Sequence, residues 1–186
     1  AIILTASTRT ISGGLALDNF STVHFEAIFA NRGGAIEALR TSLGLGVTAA
    51  ILTGIIGTLT AYIVVRHKSF TARVLDFLTM VPNTIPGIVV AVGLILAWTQ
   101  PWLPVTPYNT IWVLVLAYCC LLLPYPVRYA NAALRQIGSS LEDAARVAGA
   151  SPIIAFARIL VPLIWPSVLA AMLLVFAVAA RELVAS

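Results

Sequence analysis

LGLGVTAAILTGIIGTLTAYIVV, residues 43–65, is the stretch whose reading decides the fold. At 1.5 Å of rise per residue, its 23 residues make a helix of about 34 Å, enough to cross a ~30 Å hydrocarbon core. Gly46, Ala50, Gly54 and Thr58 recur at every fourth position and form a stripe of small residues along one side. In lipid such a stripe lets another helix come close, so this is a packing element as well as a span. The span ends at Arg66-His67-Lys68, with Arg73 just beyond, the densest basic cluster in the chain. Excess positive charge beside a span marks the cytoplasmic side.

Composition extends the reading to the whole chain. It is 60% hydrophobic and 10% charged with a mean hydropathy of +1.00, against roughly 25% charged for a soluble domain. The apolar residues are gathered into blocks, which predicts an all-α, polytopic transmembrane helical bundle. The net charge of +4 comes from basic residues at block ends and gives no reason to expect nucleic acid. Cys119 and Cys120 are adjacent in an apolar block and offer neither a disulfide framework nor a zinc spacing.

A second span is expected over Val74–Trp98. Met80-Val81-Pro82-Asn83-Thr84-Ile85-Pro86-Gly87 puts two prolines and two polar side chains near its middle. Each proline removes a backbone donor and clashes with the preceding turn, and such a break at membrane depth is tolerated only against protein or a water-filled cavity. Pro82, Asn83, Thr84 and Pro86 are therefore candidates for a translocation path. The alternative is a packing kink in which Asn83 is hydrogen-bonded between helices. Thr99–Thr110 carries no charge, three prolines and, with Trp98, Trp102 and Tyr108, an aromatic belt, so it is expected outside. A third span is expected over Ile111–Val127, a cytoplasmic loop over 128–158 holding Arg128, Arg135, Arg146 and Arg158, and a fourth span over Ile159–Ala180. Arg181-Glu182, at the end of the fourth, reads either as an interface anchor or as part of a gate.

Residues 5–34 are mixed in character, with turn signals at Gly13-Gly14 and Asn31–Gly34. Phe20, Val23, Ala27 and Phe29 suggest a short interfacial piece. His24 and Glu26, at i and i+2, do not share a helix face, and a solvated loop is expected there instead of a metal site. Ala1–Leu4 reads as the tail of an earlier span, and the chain is expected to be part of a longer one.

There is no phosphate-binding G-x-x-x-x-G-K-[ST], no G-x-S-x-G and no H-E-x-x-H, and the single lysine is Lys68. Of the seven acidic residues, only Asp76 and Glu182 fall near a bilayer boundary and none falls mid-span, which disfavours a proton-coupled carrier. No catalytic residue, metal ligand or cofactor is expected on this chain. Energy for uphill movement would have to come from a partner.

The loop between the third and fourth spans, SSLEDAARVAGASPIIAFARILVP (139–162), has a helical pattern of its own. Ser140 is expected to cap a helix with Asp143 three residues on. Glu142 and Asp143 suit its first turn, and Leu141, Ala144, Ala145 and Ala148 share a face. Gly149 stands at the C′ position, and Ser151-Pro152 restarts a helix. Asp143-Ala144-Ala145, three residues, Gly149, nine residues, then Ile159-Leu160-Val161-Pro162 resembles the E-A-A-x(3)-G-x(9)-I-x-L-P signature of ATP-binding-cassette importer permeases. Asp143 stands for the usual Glu and Val161 for the usual Leu, and Glu142 beside Asp143 leaves the register of the acidic contact open.

The resemblance implies a coupling helix that docks in a groove of a separate cytoplasmic ATPase carrying ATP and Mg²⁺. Ala144 and Ala145 would form the docking ridge, with Glu142, Asp143 and Arg146 pairing with the partner's charges and Gly149, Ile159 and Pro162 completing the coupling motif. It also implies an extracytoplasmic substrate-binding protein, a second permease half or copy, and a bacterial inner membrane location. Thr84-Ile85-Pro86-Gly87, Arg181-Glu182-Leu183 and the start near Leu17 look most like the ferric-iron permeases. Thiamine, phosphonate and polyamine permeases share parts of this pattern. A non-transporting membrane scaffold is the alternative of another class.

Overall fold

The computed structural model describes residues 7, 8, 10, 12, 19–30, 34–67, 69–103 and 106–181. They fall into two compact units, residues 1–43 and 44–186. In the first, Thr8 and Phe20 form an isolated antiparallel bridge, and α1 (Val23–Phe29) follows. The Glu26 carboxylate accepts a hydrogen bond from the Thr22 hydroxyl at 2.6 Å. Phe29 is exposed. Gly13-Gly14, the Ala27 side chain and Asn31–Gly33 lie outside the described residues.

α2 is one helix of 32 residues, Ala35–Arg66, running eight residues further toward the N-terminus than the apolar block. Gly46, Ala50, Gly54 and Thr58 are all buried, while Val47, Ile51, Ile55, Leu59 and Ile63, one position on, form an exposed apolar row. The two rows share the fourfold spacing and differ by one residue, about 100° around the helix. One side is thus packed within the chain and the other is an apolar surface left exposed. The hydroxyls of Thr53 and Thr58, both buried, cost little because their own helix satisfies them: Thr53 donates to the Ala49 carbonyl and Thr58 to that of Gly54, both at 2.7 Å.

Over the stretch expected as a second span the chain forms α3 (Phe70–Met80), a 3₁₀ turn (Val81–Thr84) and α4 (Gly87–Trp98). The two arms are bent by 112°. Pro82 opens the 3₁₀ turn, and Ile85, held extended at φ −105° and ψ 134° by the proline that follows it, breaks the helix outright. Two prolines four residues apart thus do more than kink a span: they fold it back.

α5 (Ile111–Leu122) and α6 (Pro124–Gln136) meet at a 43° bend where Pro124 starts the second helix. The helix continues nine residues past Val127, into the stretch expected as loop. Val127, Ala130, Asn131 and Leu134 give it one buried face. After α7 (Ser140–Val147) and α8 (Pro152–Ala155), a single π turn (Phe156–Leu160) leads into α9 (Val161–Arg181). The π turn precedes Pro162, which cannot donate to the preceding turn. The extra residue re-registers the ladder, with the Val161 amide reaching back to the Phe156 carbonyl. Among the described residues two helical stretches, Ile36–Arg66 and Pro152–Arg181, are long and apolar enough to cross a membrane unaided, and four are if each bent pair is one span.

The core is the meeting of α2, α5, α6 and α9. One cluster joins Leu45, Ala49 and Ala50 to Val115, Tyr118, Leu122, Val175 and Ala179. A second joins Ala61 to Ala130, Leu134, Leu160, Ile164 and Val168. A Cβ at Gly46 would meet Phe176, and one at Gly54 would meet Met172. The early part of α2 therefore faces the late part of α9, and Ala61 faces its start, so the two run antiparallel. Gly57 faces Pro126 while Ala61 faces Ala130 and Leu134, so α6 runs parallel to α2.

Candidate coupling and translocation site

α7 is eight residues long, and Ala145 is its only buried residue. Asp143, Ala144 and Arg146 are exposed, as are Leu141 and Val147, the last 90%. The expected cap is absent. Ser140 is already the first helical residue, and Ser139 before it has helical angles (φ −63°, ψ −19°) from which its hydroxyl makes no capping bond. The C-terminal end is as the residues predict. Gly149 takes φ +87°, the Gly149 amide donates to the Arg146 carbonyl and the Ala150 amide to that of Ala145, both at 2.9 Å. This is the paired bonding that closes a helix on a left-handed glycine. Ser151 caps α8, its hydroxyl accepting from the Ile154 amide with Pro152 in the first turn. The Gly149 turn and the Ser151 cap thus fix the direction in which the chain leaves α7.

The two adjacent acids separate. Asp143 faces outward, whereas Glu142, expected on the flank for a partner's charges, points into the molecule and forms an ion pair with Arg66 Nε at the end of α2. Its second oxygen accepts from the Tyr62 hydroxyl at 3.3 Å. Arg66 also donates to the Ile137 carbonyl at 3.2 Å, and the Tyr62 ring packs on Phe156 with centroids 4.6 Å apart. Ile159 is half-buried in the π turn and Pro162 exposed. Neither Arg66 nor Tyr62 carried a role in the sequence. The basic cluster at 66–68 was a signal of sidedness only.

The break in the second stretch opens a cleft of about 260 Å³ lined by Pro82, Asn83, Ile85, Gly87, Tyr118, Leu121, Leu122, Tyr125 and Val178. Asn83 is exposed, and no hydrogen bond to its side chain is found among the described residues. Thr84 turns its hydroxyl to the Val81 carbonyl at 2.7 Å, and Pro86 is exposed at the head of α4. Arg181 is exposed at the end of α9 and does not line this cleft. Glu182 lies outside the described residues. Tyr118 and Tyr125, from α5 and α6, are wall residues that the sequence did not single out. Asn83→Leu is expected to leave detergent-extracted yield and melting temperature unchanged while reducing transport. Equal transport by the variant would remove Asn83 from the path.

The family profile described as "Binding-protein-dependent transport system inner membrane component" matches residues 32–186. The chain belongs to that family. The permease is 26% identical over 183 residues to the putative 2-aminoethylphosphonate transport system permease protein PhnV of Salmonella typhimurium (strain LT2), covering 98% of this chain and 68% of the relative. It is 31% identical over 162 residues to the ferric transport system permease protein FbpB of Actinobacillus pleuropneumoniae, covering 87% of this chain but 23% of that one. Its fold matches a chain from the inward-facing MetNI methionine ABC transporter with a TM-score of 0.63 at 17% identity, over 78% of this chain and 69% of the other. The permease is thus a membrane-spanning subunit of the ATP-binding-cassette importer class, as the spacing from Asp143 to Pro162 suggested.

Proposed function

We propose that this permease forms the translocation path of an importer and couples it, through α7, to ATP hydrolysis in a separate cytoplasmic subunit. The observation that supports this most is the open face of α7. A short helix with Asp143, Ala144 and Arg146 exposed and only Ala145 buried leaves most of its surface for a partner. Small side chains make a low ridge that can enter a groove, and the ionic flank supplies orientation. ATP and Mg²⁺ belong to that partner. An extracytoplasmic binding protein delivers substrate, and a second permease half or copy completes the path in a bacterial inner membrane.

Iron(III) is the first substrate reading, resting on the similarity to FbpB and on Thr84–Gly87 at the break. Iron(III) prefers oxygen ligands. The cleft lining holds no Asp, Glu, His or Cys to complete a tight site for the ion. Phosphonate is the second, favoured because the similarity to PhnV extends over 98% of the chain. The test of coupling is Ala144→Trp in the purified complex. An exposed ridge residue has no internal neighbour to displace, so the variant should reach the membrane yet lose the co-purifying ATPase subunit. Undiminished co-purification would place the contact elsewhere. Stimulation of hydrolysis by the binding protein loaded with iron(III) or with 2-aminoethylphosphonate separates the two substrates.

A further inference from the structure

The short coupling helix is held by very little. Ala145 is its one buried residue, and Gly138 and Gly149 flank it, the latter in the left-handed region. Glycines at both ends give such a helix freedom to pivot. Against that freedom stands one ionic tie. Tyr62 and Arg66, one turn apart and so on the same face of α2, converge on the carboxylate of Glu142. The tie is sheltered: the Arg66 and Glu142 side chains are each only 15% exposed. It is also braced from two sides, because Arg66 holds the Ile137 carbonyl at the end of α6 and Tyr62 packs on Phe156 of the π turn. A pair that is largely withdrawn from water and fixed by further hydrogen bonds is screened less than a surface pair. Its geometry is set by α2, which packs on α9 through Gly46 and Gly54 and on α6 through Gly57 and Ala61.

We propose that Glu142 is a positioning residue, which clamps α7 to the end of α2 so that a displacement of the coupling helix is passed to α2 instead of being absorbed by the flanking glycines. In this division of labour Asp143 faces the partner and Glu142 faces the bundle. The proposal rests on the coupling role argued above for α7. It adds the route by which movement enters the membrane: through Tyr62 and Arg66 into α2, the helix that contributes to both core clusters.

The test uses the permease purified with its ATPase subunit in lipid nanodiscs, with Cys119 and Cys120 replaced by alanine. Spin labels are placed at His67→Cys and Val147→Cys, both exposed and both adjacent to the clamp. Pulsed dipolar spectroscopy then reads the distance without nucleotide and after trapping with ATP and vanadate. The expected result is one narrow distance, the same in both states, that is lost in Glu142→Gln and recovered in the swap Arg66→Glu/Glu142→Arg. If the swap does not fold, the Arg66→Gln background decides: there Glu142→Gln should add no further broadening, the signature of two residues acting as one unit. A narrow distance that survives Glu142→Gln, additive broadening in the double variant, or a broad distance in the parent overturns the clamp. If no ATPase subunit co-purifies with the parent chain, the coupling role itself fails. Co-purification with an unchanged distance in Glu142→Gln removes only the clamp.

Discussion

Gly57→Leu is expected to abolish recovery of folded protein. A Cβ at this position would lie 2.7 Å from Pro126 Cβ, 3.0 Å from the Val127 amide nitrogen and 3.2 Å from the Pro126 carbonyl carbon. None of these atoms can rotate away: one belongs to a proline ring and two to the backbone of α6. Relief therefore requires α2 and α6 to separate, which would open the cluster of Ala61, Ala130, Leu134, Leu160 and Ile164. Even Gly57→Ala should cost about 1–3 kcal/mol, or roughly 2–12 °C of melting temperature for a chain of this size. The leucine variant puts four carbons into a contact with no room for one.

Gly44→Leu is the control, because a Cβ there meets nothing within 4 Å. Gly54→Ala should fall between them. Its clash at 2.7 Å is with Met172 Cγ, a flexible side chain that can give way. Thermal unfolding and size-exclusion profiles in detergent rank the three. A Gly57→Leu protein as stable as Gly44→Leu would mean that α2 and α6 do not touch here.

The second large effect is expected at Gly149, and it is functional instead of structural. Gly149→Leu should leave the chain in the membrane and hydrolysis by the complex running, while uptake falls at least about tenfold, a change of ~1.4 kcal/mol in coupling. Nothing lies within 4 Å of a Cβ at 149, so there is no internal clash. The cost is conformational: φ +87° disfavours any side-chain-bearing residue, by about 1–2 kcal/mol. To escape it the turn must open, releasing the bonds of Gly149 to Arg146 and Ala150 to Ala145. The path from α7 into the Ser151 cap and the start of α9 would then be re-aimed. Asparagine tolerates this backbone region better than leucine, so Gly149→Asn should keep more of the uptake. Uptake equal to the parent in Gly149→Leu would sink the coupling assignment for α7. Equal loss in the asparagine and leucine variants would shift the cause from backbone geometry to contact with the partner.

The legible part of this protein is the part governed by local rules. The small-residue stripe on α2, the left-handed Gly149 and the Ser151-Pro152 restart all depend on residues within a turn or two of one another, and each forms as expected. The spacing from Asp143 to Pro162 placed the chain in its family for the same reason: a fixed spacing is a local property. Local rules also misled where they were too weak. Ser140 has the chemistry of a cap, but the preceding residue is already helical, so it sits inside the helix. The prolines at 82 and 86 signalled a break, yet the size of the bend, 112°, follows from the extended Ile85 between them combined with the packing of the 3₁₀ turn and α4 on α5.

Which of two neighbouring acids turns inward could not be read at all. Glu142 and Asp143 are about 100° apart on one helix, equally acidic and equally placed in its first turn. The choice is made by Tyr62 and Arg66, more than seventy residues earlier, which the parallel run of α2 and α6 brings to the foot of α7. The same holds for Gly57, a glycine among several until Pro126 is found against it. By itself the sequence determined the membrane, the break, the Gly149 stop with the Ser151 restart, and the family, because hydropathy, proline and glycine act over a few residues. Only the tertiary structure decided which glycine has no room and which carboxylate is held, because both answers depend on atoms brought together from distant parts of the chain.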